Sequence, residues 1–234
     1  MSNTYFQFKQ FIVRQDWCAM KVGTDGVLVG AWTDCSGAKT ILDVGTGSGL
    51  IALMLAQRSD ALIDAIDMDE NACRQAGINI EGSPFASRLR VVHQDLLQYF
   101  PGKPYDLIVS NPPYFAHSLK SPDLRRTAAR HTDTLSLENL LAKSYQLLSP
   151  AGRLSLILPA GNFDEVQTIA TRVGFYLTRK TAVSAVEHRP PKRVLLEYAK
   201  TAAPLTEDDF FIETADRTYS ARYVELTKAY YLKM

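Results

Sequence analysis

Cysteine is scarce in this chain, and the three present, Cys18, Cys35 and Cys73, lie far apart without a C-x-x-C pair. That spacing argues for neither a disulfide framework nor a zinc site; isolated cysteines of this kind act as small buried apolar groups in a reducing compartment. Also missing is any excess of charge. The 26 Lys and Arg stand against 25 Asp and Glu, so affinity for nucleic acid has to come from a local basic surface. No uninterrupted apolar run reaches the roughly 20 residues that span a bilayer, and residues 1–7 lack a basic segment followed by an apolar core. Neither a membrane span nor a secretory leader is expected, which predicts a cytoplasmic protein. Low-complexity tracts are absent too. With 46% hydrophobic residues over 234 positions, the chain suffices for one α/β domain with small additions.

Residues 6–9 alternate apolar and polar side chains, as does part of 18–22, and Gln15-Asp16 between them suits a turn. A small N-terminal hairpin is expected there. Thr24-Asp25-Gly26, ahead of Val27, Leu28, Val29, Ala31 and Trp32, predicts a capped and mostly buried helix. From Thr40 strands and helices alternate. Strands are expected over 41–44, 61–66, 89–92, 105–109 and 153–158, and helices over 50–58, 69–80, 137–148 and 163–173. Segments 175–183 and 194–198 read as an antiparallel C-terminal pair. That order predicts a mostly parallel, seven-stranded sheet with helices on both faces. No linker divides the chain, so one domain is expected: hairpin and helix over 1–35, the α/β core over 36–200, and a C-terminal extension over 201–234.

Asp43-Val44-Gly45-Thr46-Gly47-Ser48-Gly49-Leu50 joins the first core strand to its helix. Glycines at alternate positions let the backbone turn tightly and let a ligand approach with no Cβ in the way. The helix that follows presents unpaired N–H groups. Eighteen residues beyond Gly49 comes Asp67, at the end of the next strand, where a carboxylate can accept both hydroxyl hydrogens of a ribose. A plain turn, with Asp67 capping a helix, is the simpler reading of the same residues. A dehydrogenase fits less well, because its G-x-G-x-x-G/A fingerprint wants Gly or Ala where Leu50 stands. The loop closely resembles the first motif of Rossmann-like methyltransferases that use S-adenosylmethionine. The resemblance implies that Asp43, Gly45, Thr46, Gly47 and Gly49 border the methionine part of that cofactor. It also implies that Asp67 holds the ribose, that Met68 lies against the adenine, and that Asp95 contacts the adenine amine.

Asn111-Pro112-Pro113-Tyr114 follows the strand expected at 105–109. Consecutive prolines fix φ and remove two backbone donors, leaving carbonyl oxygens free for an incoming group. Asn111 adds a side-chain acceptor, and Tyr114 a flat aromatic face. An exocyclic amine conjugated to a ring is a poor nucleophile, and two acceptors gripping its hydrogens turn the lone pair outward. Fixed carbonyl dipoles also stabilise the positive charge that nitrogen acquires. This chemistry calls for no metal. The motif is shared by methyltransferases of adenine N6, cytosine N4 and glutamine amides, and by itself it leaves those acceptors open.

Between Ala116 and His131, four cations (Lys120, Arg125, Arg126 and Arg130) face the single acid Asp123. A second cluster, His188-Arg189-Pro190-Pro191-Lys192-Arg193, falls at the turn of the C-terminal strand pair. Each alone fits a solvated surface. Beside an amine-gripping motif they favour nucleic acid, with Arg and Lys supplying affinity rather than sequence reading. Lys120, Arg125, Arg126, Arg130, His131, Arg189, Lys192 and Arg193 are the expected RNA contacts.

The whole chain is similar to the bacterial tRNA1(Val) adenine N6-methyltransferase family. The carrying residues are Phe8-Lys9-Gln10-Phe11, the segment Cys18 to Leu28, the glycine loop, the Asn-Pro-Pro-Tyr motif, Ala129-Arg130-His131, Leu226-Thr227 and Tyr230-Tyr231-Leu232. The resemblance implies methylation of adenine-37 beside the anticodon, with the tRNA1(Val) anticodon arm as partner and no obligate protein partner. It implies that Lys21, Thr24 and Asp25 approach the cofactor from the N-terminal side. The target base must leave its stack, at about a few kcal/mol, which stacking on Tyr114 would offset by roughly 1–3 kcal/mol. Alternatives at this stage are methylation of a protein glutamine amide or an rRNA guanine amine, or a catalytically silent RNA-binding scaffold.

Overall fold

The computed structural model describes residues 4–17, 21–113 and 135–233. An eight-stranded sheet organises them. Its first five strands along the chain are β3 (Thr40–Val44), β4 (Leu62–Asp67), β5 (Leu89–His93), β6 (Tyr105–Ser110) and β7 (Leu148–Pro159). Beyond β7 come β8 (Tyr176–Val186), β9 (Arg193–Ala199) and β10 (Thr206–Glu213). The spatial order is β10-β8-β9-β7-β6-β3-β4-β5, and β9 alone runs against the rest. From β3 the chain steps outward through β4 to β5, then returns to place β6 on the other side of β3. Such a reversal opens a crevice at the carboxyl ends of the strands on either side of it.

Period-two alternation fills both faces of the sheet. Ile41 and Leu107 join one core cluster, with helices α1 (Thr24–Trp32) and α2 (Leu50–Arg58). Their neighbours Leu42 and Ile108 join the other, with α4 (Leu137–Leu147) and α5 (Phe163–Val173). Helix α3 (Glu70–Glu81) links β4 to β5, and α6 (Ala221–Thr227) follows β10. Among the described residues no helix is long and apolar enough to cross a membrane.

Three details depart from the expectations. The sheet has eight strands, because 206–213, assigned to the C-terminal extension, pairs in parallel with β8. Its first half, Thr206-Glu207-Asp208-Asp209, is polar on both faces, as suits an edge strand, and so hid the alternation.

The hairpin is tighter than expected. β1 (Tyr5–Gln7) pairs with β2 (Ile12–Arg14), so Gln15-Asp16 lies beyond the turn, and Cys18 to Met20 of the expected partner segment lie outside the described residues. Phe8 and Phe11 close it, with stacked rings 4.8 Å apart and a Phe8 N–H donated to Phe11 O at 2.9 Å. The hairpin is then pinned to the C-terminal segment, where Lys9 N–H donates to Tyr230 O at 2.7 Å and Tyr230 Oη to Met54 O at 3.1 Å.

Finally, α1 has Gly23 at its N-cap and no side-chain cap. The Asp25 carboxylate is engaged elsewhere, by Arg193.

Candidate active site

Two lobes, each about 260 Å³, meet over the carboxyl ends of β3 and β6. Gly45, Gly47 and Asn111 line both. Asn111 is held at this junction by its neighbour: Ser110 Oγ donates to Val44 O at 2.9 Å, tying the end of β6 to the end of β3.

Gly45 and Gly47 take φ of 69° and 56°, a left-handed region costing other residues roughly 1–2 kcal/mol. A Cβ at either would meet no protein atom within 4 Å. It would project into the space the lobes enclose, so the loop leaves room for a ligand rather than for packing. Gly49 differs: it caps α2 and lies against Ala76, outside both lobes.

Asp67 shapes the loop from the end of β4. Its Oδ2 accepts from Gly47 N–H at 2.9 Å and its Oδ1 from Asp69 N–H at 3.0 Å. Each oxygen keeps a second lone pair for a ligand hydroxyl. Met68, Gln94 and Asp95 line the same first lobe, with Pro112 and Pro113. The Met68 side chain is half exposed, and Asp95 Oδ1 accepts from Leu97 N–H at 2.9 Å. Sequence reasoning missed Ala72, Leu96 and Leu135, which give this lobe its apolar wall.

Asp43 requires a correction. It is fully buried and lines neither lobe. Its Oδ2 instead accepts from the Thr46 hydroxyl at 2.6 Å and from Ala52 N–H at 3.1 Å, fastening the loop to the first turn of α2. Burial pushes its carboxyl up to about 7, against those two bonds. It positions the loop; Thr46 lines the second lobe itself.

The second lobe is walled by Lys21, Thr24 and Asp25 and, from the far side, Arg193. The Asp25 carboxylate accepts from Arg193 Nε, a pair 168 residues apart in sequence. Arg193, expected with its neighbours to meet RNA, is therefore drawn into the cleft. Arg189 and Lys192 stay exposed on the turn between β8 and β9. Because β9 is antiparallel, that turn sits at the same sheet edge as the lobes. Tyr114, Lys120, Arg125, Arg126, Arg130 and His131 lie outside the described residues.

The family model described as the methyltransferase small domain matches residues 23–178. A tRNA1(Val) (adenine(37)-N6)-methyltransferase of Parabacteroides distasonis is 51% identical, over all of both chains. The chain belongs to this family. Members from Phocaeicola vulgatus and Trichodesmium erythraeum are 47% and 46% identical, again over the full length of both. Among solved structures, a predicted O-methyltransferase from Agrobacterium tumefaciens superposes with a TM-score of 0.69 at 16% identity, covering 88% of this chain and 96% of that one. The glycopeptide N-methyltransferase MtfA in complex with S-adenosylmethionine gives 0.57 at 14% identity, covering 77% and 100%. These two establish a shared fold, and the family members carry the closer kinship.

Proposed function

We propose that the protein methylates N6 of adenine-37 in tRNA1(Val), with S-adenosylmethionine as methyl donor. One observation carries the reading: Asn111 stands where the two lobes meet, in a chain alike in full length to relatives bearing that name.

The lobes fit the donor in two parts. Asp67 and Asp95 offer carboxylates to a ribose and an adenine amine, beside the apolar Met68. Around the second lobe stand Lys21, Asp25 and Arg193, which carry both signs of charge, as a zwitterionic methionyl group requires. Arg193 is assigned to this group, and Arg189 and Lys192 to RNA phosphates. S-adenosylmethionine, when bound, supplies a methyl group already activated by the sulfonium charge.

What remains for the chain is positioning, which in favourable cases is worth roughly 7–11 kcal/mol. Asn111 and the proline-flanked carbonyls accept the hydrogens of the target amine and hold it edge-on. They favour a pyramidal nitrogen and stabilise its growing positive charge. The resulting ammonium is acidic enough to lose its proton to water, so no dedicated base is assigned.

The test uses purified protein, labelled cofactor and an unmodified tRNA1(Val) transcript. Label is expected in N6-methyladenosine, and a transcript with guanine at position 37 should stay unlabelled. Label in the guanine-37 transcript, or in protein glutamine with tRNA untouched, would overturn the proposal.

A further inference from the structure

Residues 14–17 form a strap beside the glycine loop. Two buried amides of α3 hold it by its backbone. Asn79 accepts from Arg14 N–H and donates to Arg14 O, both at 2.8 Å, and the same amide donates to Ser48 O at 2.8 Å. Gln75 Oε1 accepts from the N–H groups of Asp16 and Trp17, at 2.9 and 3.1 Å. These amides act like the edge of a neighbouring strand, and burial makes their loss costly. The strap is thus fixed one side chain away from the loop, and Lys21, four residues beyond Trp17, already lines the second lobe.

On so firmly held a segment, Trp17 is left 45% exposed, whereas the other tryptophan, Trp32, is 3% exposed. The guanidinium of Arg74 lies 4.3 Å from the Trp17 ring centre. Glu70 stands one helical turn before Arg74, a spacing that favours an ion pair, yet among the described residues Arg74 takes the indole instead. On the hairpin that leads into the strap, Tyr5 and Arg14 sit opposite one another, both exposed. The hairpin, the strap and Arg74 thus expose two aromatic rings and two cations, and Asp16 is the only carboxylate of the strap. Ile12 and Ile78 are exposed on the same strand and helix, yet it is the cations beside the rings that set the chemistry of this surface. Unstacked bases on a charged backbone suit it, because bases stack on aromatic rings and on guanidinium planes while the cations meet phosphates.

We infer that Trp17 and Arg74, extended by Tyr5 and Arg14, form a docking platform for the unpaired nucleotides that flank the target adenine. The inference rests on the RNA reading above and adds a surface to it. Base–aromatic stacking tolerates any sequence, so the platform contributes affinity and placement and leaves the choice of target to the cleft.

Intrinsic fluorescence tests this directly, because Trp32 is buried and Trp17 is not. Titrating the full-length protein with unmodified tRNA1(Val) transcript should quench the emission, and Trp17→Phe should abolish the quench while retaining most of the affinity. The double variant Trp17→Ala with Arg74→Ala should raise the Kd for tRNA by on the order of tenfold. Its cofactor affinity, read by calorimetry, should match that of the wild type, which shows that the fold is intact. Quenching that persists in Trp17→Phe, or wild-type tRNA affinity in the double variant, would overturn the platform and leave the methylation reading standing. A wild-type protein that neither binds nor methylates the transcript would sink both.

Discussion

Asn111→Ala is expected to lower kcat by about 10²–10³ while the cofactor Kd changes by less than about threefold. The asymmetry follows from where the residue stands. Asn111 lines both lobes, but the charged groups assigned to the donor (Asp67, Asp95, Lys21, Asp25 and Arg193) come from other segments and survive the substitution. Lost is an acceptor aimed at an amine that gains positive charge only during the reaction. An interaction that strengthens on the way to the transition state appears in kcat and not in ground-state binding. The Ser110–Val44 bond that places the backbone also survives. Single-turnover kinetics alongside calorimetry separates the two quantities. A matched loss of cofactor affinity and turnover would make Asn111 a structural residue.

The second large effect concerns stability and its dependence on pH. Asp43 is fully buried, and burial raises its carboxyl to about 7, from about 4 in an unfolded chain. Between those values the folded state holds the proton and the unfolded state does not. Stability from the neutral carboxyl is therefore complete below about pH 4 and is lost as pH rises through about 7. The full span corresponds to about 4 kcal/mol at most. Asp43→Asn cannot ionise and still offers an acceptor to Thr46 and Ala52. Relative to that variant, the wild type should lose about 2–4 kcal/mol between pH 4 and pH 8. Asp43→Ala should be destabilised at every pH, because the Thr46 hydroxyl and the Ala52 N–H lose their acceptor, at about 1–3 kcal/mol each. Urea unfolding at several pH values measures both. A wild-type-minus-Asn difference that stays flat across this range would place a charged carboxylate in the fold.

Local chemistry made much of this legible in advance. The glycine loop declared itself because left-handed backbone and ligand approach both require residues without a Cβ, and Asn111 because it follows a recognisable buried strand. What escaped were long-range pairings. Nothing near Asp25 suggests that its carboxylate meets Arg193, 168 residues away, so Asp25 read as a helix cap or a neighbour of the cofactor and Arg193 as one more RNA-facing cation. Asp43 looked like a ligand because it opens the motif, whereas only the packing of α2 reveals it as the loop's fastener. The edge strand β10 was hidden by its acidic first half. The hairpin was misplaced because Gln15-Asp16 is a better turn by composition than Phe8 to Phe11, whose ring stacking no local pattern announces. Trp17 was passed over for the same reason: its significance lies in the amides of α3 that hold its backbone and in the guanidinium above it.

The most direct measurement is a crystal structure with S-adenosylhomocysteine bound. The account predicts adenosine in the first lobe against Asp67 and Met68, the amino-acid end beside Asp25 and Arg193, and sulfur at the junction within reach of Asn111. Adenosine found outside that lobe, or Asn111 turned away from the sulfur, would contradict it.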